Sequence, residues 1–287
     1  MKRKFKFSQT DYTRSMLPQN RRQVFFDVLQ LQWQKLLLLG LIMLLFYLPL
    51  LLSTVTKDVY MANLYASLEG SDPATLLQAG QTLAHLDLIL GLVRILFLLV
   101  LAVVFSGALR VIRQYSWGEN VHLGTELGKG LRSNYAHTAA IFFIAGIVYC
   151  LCLMVHYTAP SYATSLLSFL SLLPIGISLL VVLPILMIAL VMIPVYQNTL
   201  FGTLKNAFFI YTRCLVRVLL AAVCCLLIWV PALIPNFYCH VLGSLFGILL
   251  TPVALLGWTL FCYNCFDAHL NPTVAPELIG KGTFPTE

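Results

Sequence analysis

Charge is what this chain has least of. Only 10% of its 287 residues are Asp, Glu, Lys or Arg, whereas a soluble domain carries about 25%. Residues 133 to 204 contain none of the four over 72 positions, and residues 218 to 266 contain none over 49. A spanning helix needs about 20 apolar residues, so each gap has room for at least two crossings. With 60% hydrophobic residues, the composition is that of an integral membrane protein.

Motifs that carry chemistry are as scarce as charge. No Gly-x-x-x-x-Gly-Lys-Ser/Thr loop and no His-Glu-x-x-His occurs, and Gly124, Gly128 and Gly130 follow no strand that would make them a nucleotide fingerprint. Cys262-x-x-Cys265 has ligand spacing, but a structural zinc needs about four ligands and only Asp267 and His269 are close in sequence. His156, His240 and Cys239 are the other grouping that a metal would use. Five of the eight cysteines (Cys150, Cys152, Cys224, Cys225 and Cys262) fall in apolar segments, where free thiols behave as small hydrophobes. No disulfide framework, catalytic residue, cofactor or metal is therefore expected, and the protein reads as a non-enzyme. No Asp or Glu falls within an expected crossing, which argues against ion-coupled transport, where such a residue is common.

What is present is base, in a particular place. The net charge is +7, and eight bases (Lys2, Arg3, Lys4, Lys6, Arg14, Arg21, Arg22 and Lys35) precede the first apolar run. Ahead of a membrane span, such crowding reads as cytoplasmic anchoring against anionic lipid rather than nucleic-acid binding. The polar start and the long first apolar run are not those of a cleavable signal.

Taken in order, residues 1–20 form a basic cytoplasmic tail, 21–266 a six-helix membrane domain and 267–287 a proline-rich cytoplasmic tail. Within the domain, crossings are expected near 36–56, 88–112, 138–157, 166–195, 215–233 and 241–263. Pro49 should kink the first. Pro174, Pro184 and Pro194 should break the fourth. Residues 57–87 carry Lys57 against Asp58, Glu69, Asp72 and Asp87 and read as extracytoplasmic, with Asp72-Pro73 opening a helix. Three basic, amphipathic elbows, 21–35, 122–135 and 198–212, are expected to lie flat on the cytoplasmic face. Sixteen of the 18 bases then fall on that side, as the positive-inside rule requires. The fold class is all-α: a polytopic six-transmembrane bundle with both termini cytoplasmic and interfacial amphipathic helices. Gly243, Gly247 and Gly257 are expected to let helices approach closely.

Two internal echoes fit either a duplicated hairpin unit or the convergent patterning of amphipathic helices that lead into spans. Leu123-Gly124-Thr125 is answered by Phe201-Gly202-Thr203. Lys35 precedes Pro49 by the same interval as Arg217 precedes Pro231, and at that offset Tyr47 aligns with Trp229.

The candidate functional residues are few. Arg94 is the one charge inside a crossing, and Asp87 lies two turns away on the same helical face. That geometry fits an arginine that snorkels or pairs, or else one facing a cavity as an anion attractor. The elbows supply Arg110, Arg113, Lys129, Arg132, Asn134, Lys205 and Asn206.

These elbow residues also carry a resemblance. Arg110-x-x-Arg113, Gly118-Glu119, Lys129 and Asn134 before an apolar run are similar to the YesL-like family of bacterial membrane proteins. So are Pro194-Val195-Tyr196 leading to Leu204-Lys205-Asn206-Ala207, and the tail Pro276-Glu277 with Gly280-Lys281-Gly282. Trp117 stands where the family's pattern has a base. The resemblance implies a multi-pass protein of a bacterial plasma membrane, associated with carbohydrate-utilisation systems, and implies no particular reaction. Two roles follow. One is an accessory protein that contacts anionic lipid and binds another membrane complex, for instance one of sugar uptake, through its basic elbows. The alternative is a small-solute transporter or channel component, with Arg94 and the proline-broken fourth helix lining a path.

Overall fold

The computed structural model describes residues 17–68, 70, 72–119, 121–158, 169, 172–234 and 236–284. Most of the basic tail, the greater part of the link after the third crossing, and Pro235 of the turn before the sixth lie outside the described residues. Every regular element described is helical: α1 (Arg21–Ser67), α2 (Pro73–Ser116), α3 (Leu123–Thr158), α4 (Leu173–Met192), α5 (Leu200–Arg213), α6 (Leu215–Leu233, its last turns 3-10), α7 (Phe237–His269) and α8 (Asn271–Val274). Six of them, α1 to α4, α6 and α7, are long and apolar enough to cross a membrane. The protein is an all-α, multi-pass bundle.

Two of the three expected elbows do not exist as separate pieces. Residues 21–35 are the first turns of α1, and 123–135 the first turns of α3, with no interruption before the apolar part. A helix cannot turn flat without breaking its i→i−4 ladder, and neither junction holds a glycine or proline to do so. These segments therefore prolong the crossings along their own axes. At 1.5 Å per residue α1, α2 and α3 run to about 70, 66 and 54 Å, well beyond a hydrocarbon core of about 30 Å. Pro49 likewise sits inside α1 without ending it. The third segment is a separate helix, α5. Thr199 caps α5 by accepting from the Gly202 N–H, which satisfies one of the orphan donors of the first turn. Cys214 then leaves helical geometry for a single residue before α6 begins.

The fourth crossing is broken as expected, but at one proline of the three. Pro174 lies in the first turn of α4, where a missing N–H costs nothing, and Pro194 lies in the exit turn. Pro184 is the one in the ladder. It cannot donate to the carbonyl of Leu180, and the helix widens just ahead of it into a π turn at Ser178–Val182. The carbonyl left over is taken up from outside: the Tyr211 hydroxyl of α5 donates to Leu180 O at 2.8 Å. The break in α4 and the docking of α5 are thus one feature, contributing about 1 kcal/mol through that hydrogen bond.

Two clusters form the core, and α7 belongs to both. Ile248, Leu255, Leu256 and Leu260 face α1 and α2, among Leu36, Leu39, Met43, Ala108 and Ile112. Trp258, Cys262, Tyr263 and Phe266 face α4, α5 and α6, among Ile188, Met192, Ile210 and Val218. Half of the apolar window of α7 is buried against 11% of that of α6, which makes α7 the central post and α6 a peripheral helix. In lipid, such association rests on close packing rather than on expelling water. Close approaches join α1 to α7, where a Cβ on Gly40 would stand 2.4 Å from Leu249 O, and α2 to α3, where one on Gly130 would stand 2.8 Å from Gly107 Cα and from Ser106 O. Gly243 and Gly247 serve as expected against Ala232 and the Trp229 ring, whereas Gly257 meets only an ordinary contact with Phe25. Tyr47 and Trp229, paired by the internal offset, meet in space with ring centroids 5.8 Å apart.

Both described chain ends close on one end of the bundle. Arg21 Nη2 lies 2.8 Å from Asp267 Oδ2, Asn271 Nδ2 donates to Asp267 Oδ1 at 2.7 Å, and the Phe284 N–H donates to Pro18 O at 2.8 Å. The tail that follows α7 is folded against this terminal end rather than standing free.

Candidate functional site

Helix α2 carries one polar node in its middle part and another near its C-terminal end, and α1, α3 and the α4–α5 turn complete them. At the far end from the termini, Asp87 and Arg94 are both buried, at 3% and 8% exposure. Their spacing of seven puts them on one face. Arg94 Nη1 lies 3.7 Å from Asp87 Oδ1 and donates to Tyr149 Oη at 2.7 Å, while its Nε reaches Ser53 Oγ at 3.4 Å. Asp87 Oδ2 accepts from Lys57 Nζ at 2.7 Å and from the Tyr157 hydroxyl at 2.5 Å. Ser53 and Lys57 are one turn apart on α1, and Tyr149 and Tyr157 are two turns apart on α3. One carboxylate and two cations therefore stitch three helices together, and the guanidinium is spent on side chains.

At the terminal end the centre is Glu126, near the start of α3 and 8% exposed. Its Oε2 accepts from Arg110 Nε at 2.9 Å and Gln114 Nε2 at 2.8 Å, and its Oε1 from Lys129 Nζ at 2.6 Å. Arg110 and Gln114 are one turn apart on α2, as Glu126 and Lys129 are nearly so on α3. Arg113, beside them, has no carboxylate within 4 Å among the described residues. It donates from Nη1 to the carbonyl of Pro194 at 2.6 Å and lies over the Trp117 ring at 4.5 Å. Lys281 of the folded-back tail also lies over that ring, at 3.8 Å. Trp117 thus lies against two cations. Tyr196, in the α4–α5 turn, donates to Asn271 Oδ1. Burial, with the Asp267 charge behind it, pushes its phenol above the usual range, so it remains a donor at any working pH.

Between these groups lies a cavity of about 470 Å³. Its polar lining comes from Arg110, Arg113, Asn134, His137, Asn198 and Thr203. Asn134 is 6% exposed and reaches back to Ser106 O at 3.5 Å.

The candidate residues therefore divide into three groups. Arg110, Arg113, Lys129 and Asn134 come together at the terminal end, and Arg94 with Asp87 at the other. Arg132 and Lys205 stand exposed and Asn206 half-buried, none of them lining the cavity. Sequence reasoning missed Glu126, although it is the sole acid between Glu119 and Asp267 and its spacing to Lys129 is that of a helical ion pair. It also missed Lys57, Tyr149 and Tyr157 as partners of Asp87 and Arg94, and His137, Asn198 and Thr203, which no local motif marks.

No family model, curated protein or solved structure matches this chain. Among the described residues no group of three or more His, Cys, Asp or Glu is placed to hold a metal. His240 instead faces Asp58 at 3.6 Å, His156 lies against the Tyr157 ring, and Cys262 and Cys265 are buried free thiols.

Proposed function

We propose that this chain is a non-enzymatic accessory protein of a bacterial plasma membrane, with both termini in the cytoplasm, that docks another membrane complex through the basic surface of its terminal end. The sidedness rests on the charge asymmetry: 16 of the 18 bases belong to the terminal end, whereas the stretch from Lys57 to Asp87 carries four acids against one base. The observation that carries the accessory reading is the closure around Arg94. A solute path through the bundle needs that cation free, but it is buried among Asp87, Tyr149 and Ser53. Neither the 470 Å³ cavity nor the 560 Å³ cleft at the opposite end includes it. Around the terminal end, Arg22, Lys129, Arg132, Lys205, Arg213 and Arg217 stand exposed, a surface suited to an acidic partner in the presence of anionic lipid. A complex of sugar uptake is the partner that the YesL-like resemblance favours. Mild solubilisation and affinity capture of the full chain test this. A stoichiometric membrane partner, lost when Arg132 and Lys205 are both changed to Glu, is the expected result. Capture of no partner, with solute flux in proteoliposomes instead, would overturn it.

A further inference from the structure

The cavity at the terminal end has a chemical character that the accessory role does not use. Its polar lining offers donors with no carboxylate among them. Glu126 occupies Arg110 through Nε, on the α3 side, which leaves the terminal nitrogens of that guanidinium for another acceptor. Arg113 Nε and Asn198 Nδ2 are both shut away from solvent and lack any hydrogen-bond partner. Buried donors are rarely left unmet, because each then bears the full desolvation cost. Both belong to residues that line the cavity, but each atom is itself out of solvent's reach, so the case for a ligand rests on the two guanidiniums set there with no carboxylate among the lining residues.

We infer that this cavity binds a phosphate monoester. Arg110 and Arg113 bring two permanent positive charges, and a monoester dianion matches them, carrying about −1.5 to −2 near neutrality with three terminal oxygens. A carboxylate would meet one charge and leave donors unmet. Guanidinium forks suit phosphate geometry through paired hydrogen bonds. Arg113 is also pre-positioned, since the Pro194 carbonyl and the Trp117 ring hold it before any ligand arrives. The volume lies within the range of small-molecule sites and exceeds what phosphate alone would fill. Ile193, Pro194 and Val195 on the same wall would take the carbon body of the ester. The same group is offered by a soluble phosphorylated metabolite or by the headgroup of phosphatidic acid. This inference is independent of the docking partner proposed above, so either can fail alone.

The test uses the full chain in nanodiscs of phosphatidylcholine, with thermal stability and calorimetry as readouts. Glycerol 3-phosphate, inorganic phosphate, sulfate and glycerol are the soluble probes. A second set of discs contains phosphatidic acid, a monoester, or phosphatidylglycerol, a diester. Stabilisation by glycerol 3-phosphate above inorganic phosphate, with glycerol inert, assigns the site to a soluble ester. Stabilisation by phosphatidic acid alone assigns it to the lipid headgroup. Equal stabilisation by phosphatidylglycerol or sulfate, or no response to any monoester, overturns the inference. Arg113→Gln should weaken binding about 10- to 100-fold, the range for a lost charged hydrogen-bond set. Because Arg113 also holds Pro194, Asn198→Ala serves as the second variant. It removes an unpartnered donor, so it should leave ligand-free stability unchanged and weaken binding several-fold. Unchanged affinity in Asn198→Ala would also overturn the assignment.

Discussion

The two polar nodes of α2 are built from the same ingredients and reach opposite results. At Asp87, one carboxylate faces Lys57 and Arg94, and two tyrosines and a serine complete the shell. At Glu126, one carboxylate faces Arg110 and Lys129, with Gln114 as the neutral donor. The difference is the third cation. Arg113 has no carboxylate to itself and lines a cavity with none among its lining residues. The far node joins three helices and lines neither cavity through Asp87 or Arg94, although Asp87 Oδ1 has only the 3.7 Å ion pair with Arg94 and no hydrogen bond among the described residues. The terminal node is left with surplus positive charge and space next to it. Both nodes hold more cations than carboxylates, so an ion pair in a bundle is a lock or part of a receptor site according to how much charge is left over and whether there is volume beside it, and residue types alone do not say which.

The largest effect should come from breaking the lock. Asp87 sits between two cations at 3% exposure. Removing one partner of a buried pair strands the other and costs about 3–5 kcal/mol. Asp87→Ala is therefore expected to lower the thermal midpoint in detergent by many degrees, and Arg94→Leu to do so by less. The double variant should recover most of the loss, because the two changes share one interaction. Strictly additive losses would mean that the node is not a lock.

A second test attacks the contact that holds α3 beside α2. Gly130→Ala places a methyl group against the Gly107 backbone, with no side chain there able to yield. Overpacking of this kind costs about 1–3 kcal/mol. The contact neighbours Ser106 and Arg110, so the loss should appear at the terminal end. Backbone exchange around Glu126 should rise while that around Tyr149 stays protected, and equal loosening at both would remove the distinction between the two nodes.

Glu126→Gln should give the opposite signature to Asp87→Ala. The Glu126 node is partly open, with Arg110 and Lys129 side chains 24% and 56% exposed, so solvent screens the loss. A destabilisation of about 1 kcal/mol is expected from the hydrogen bonds weakened. Arg110 would be released toward the cavity, and phosphate-ester binding should tighten roughly two- to tenfold. Weaker binding in Glu126→Gln would show that the carboxylate orients Arg110 rather than competing for it.

How much of this was legible in the sequence follows from the range of each interaction. Six crossings could be read because an apolar run of spanning length is a property of one stretch. The pairing of Asp87 with Arg94 was legible because seven residues on a helix fix a face. Tyr149 and Tyr157 were not, because their meeting with α2 depends on how α3 packs, and that in turn depends on Gly107 and Gly130 some 23 residues apart in the chain. The elbows were misread for a related reason. An amphipathic helix lying flat and one prolonging a crossing have the same pattern, and only the junction distinguishes them. The junctions at 35–36 and 137–138 hold no breaker and the helices continue. Cys214, which does interrupt the chain between α5 and α6, is no breaker by type either. That interruption belongs to tertiary structure, where α5 is held against α4 by Tyr211 at the carbonyl that Pro184 leaves free.

The smallest structural effect is expected at the exposed bases, and it separates docking from both nodes. Arg132 and Lys205 stand exposed and have no hydrogen bond or ion pair among the described residues. Exposed charges free of special contacts change stability by less than about 0.5 kcal/mol when replaced. Arg132→Ala and Lys205→Ala should therefore leave the thermal midpoint unchanged and leave affinity for glycerol 3-phosphate unchanged. If these bases face an acidic partner, the same variants should slow association and make it less sensitive to salt, since rim charges act on encounter more than on the lifetime of a complex. The measurement is the capture yield of the partner complex at two ionic strengths, wild type against the double alanine variant. Equal yields at both would remove Arg132 and Lys205 from the docking surface. A fall in ester binding would instead mean that the terminal end is one continuous electrostatic surface, and the distinction between a receptor cavity and a docking face would have to be abandoned.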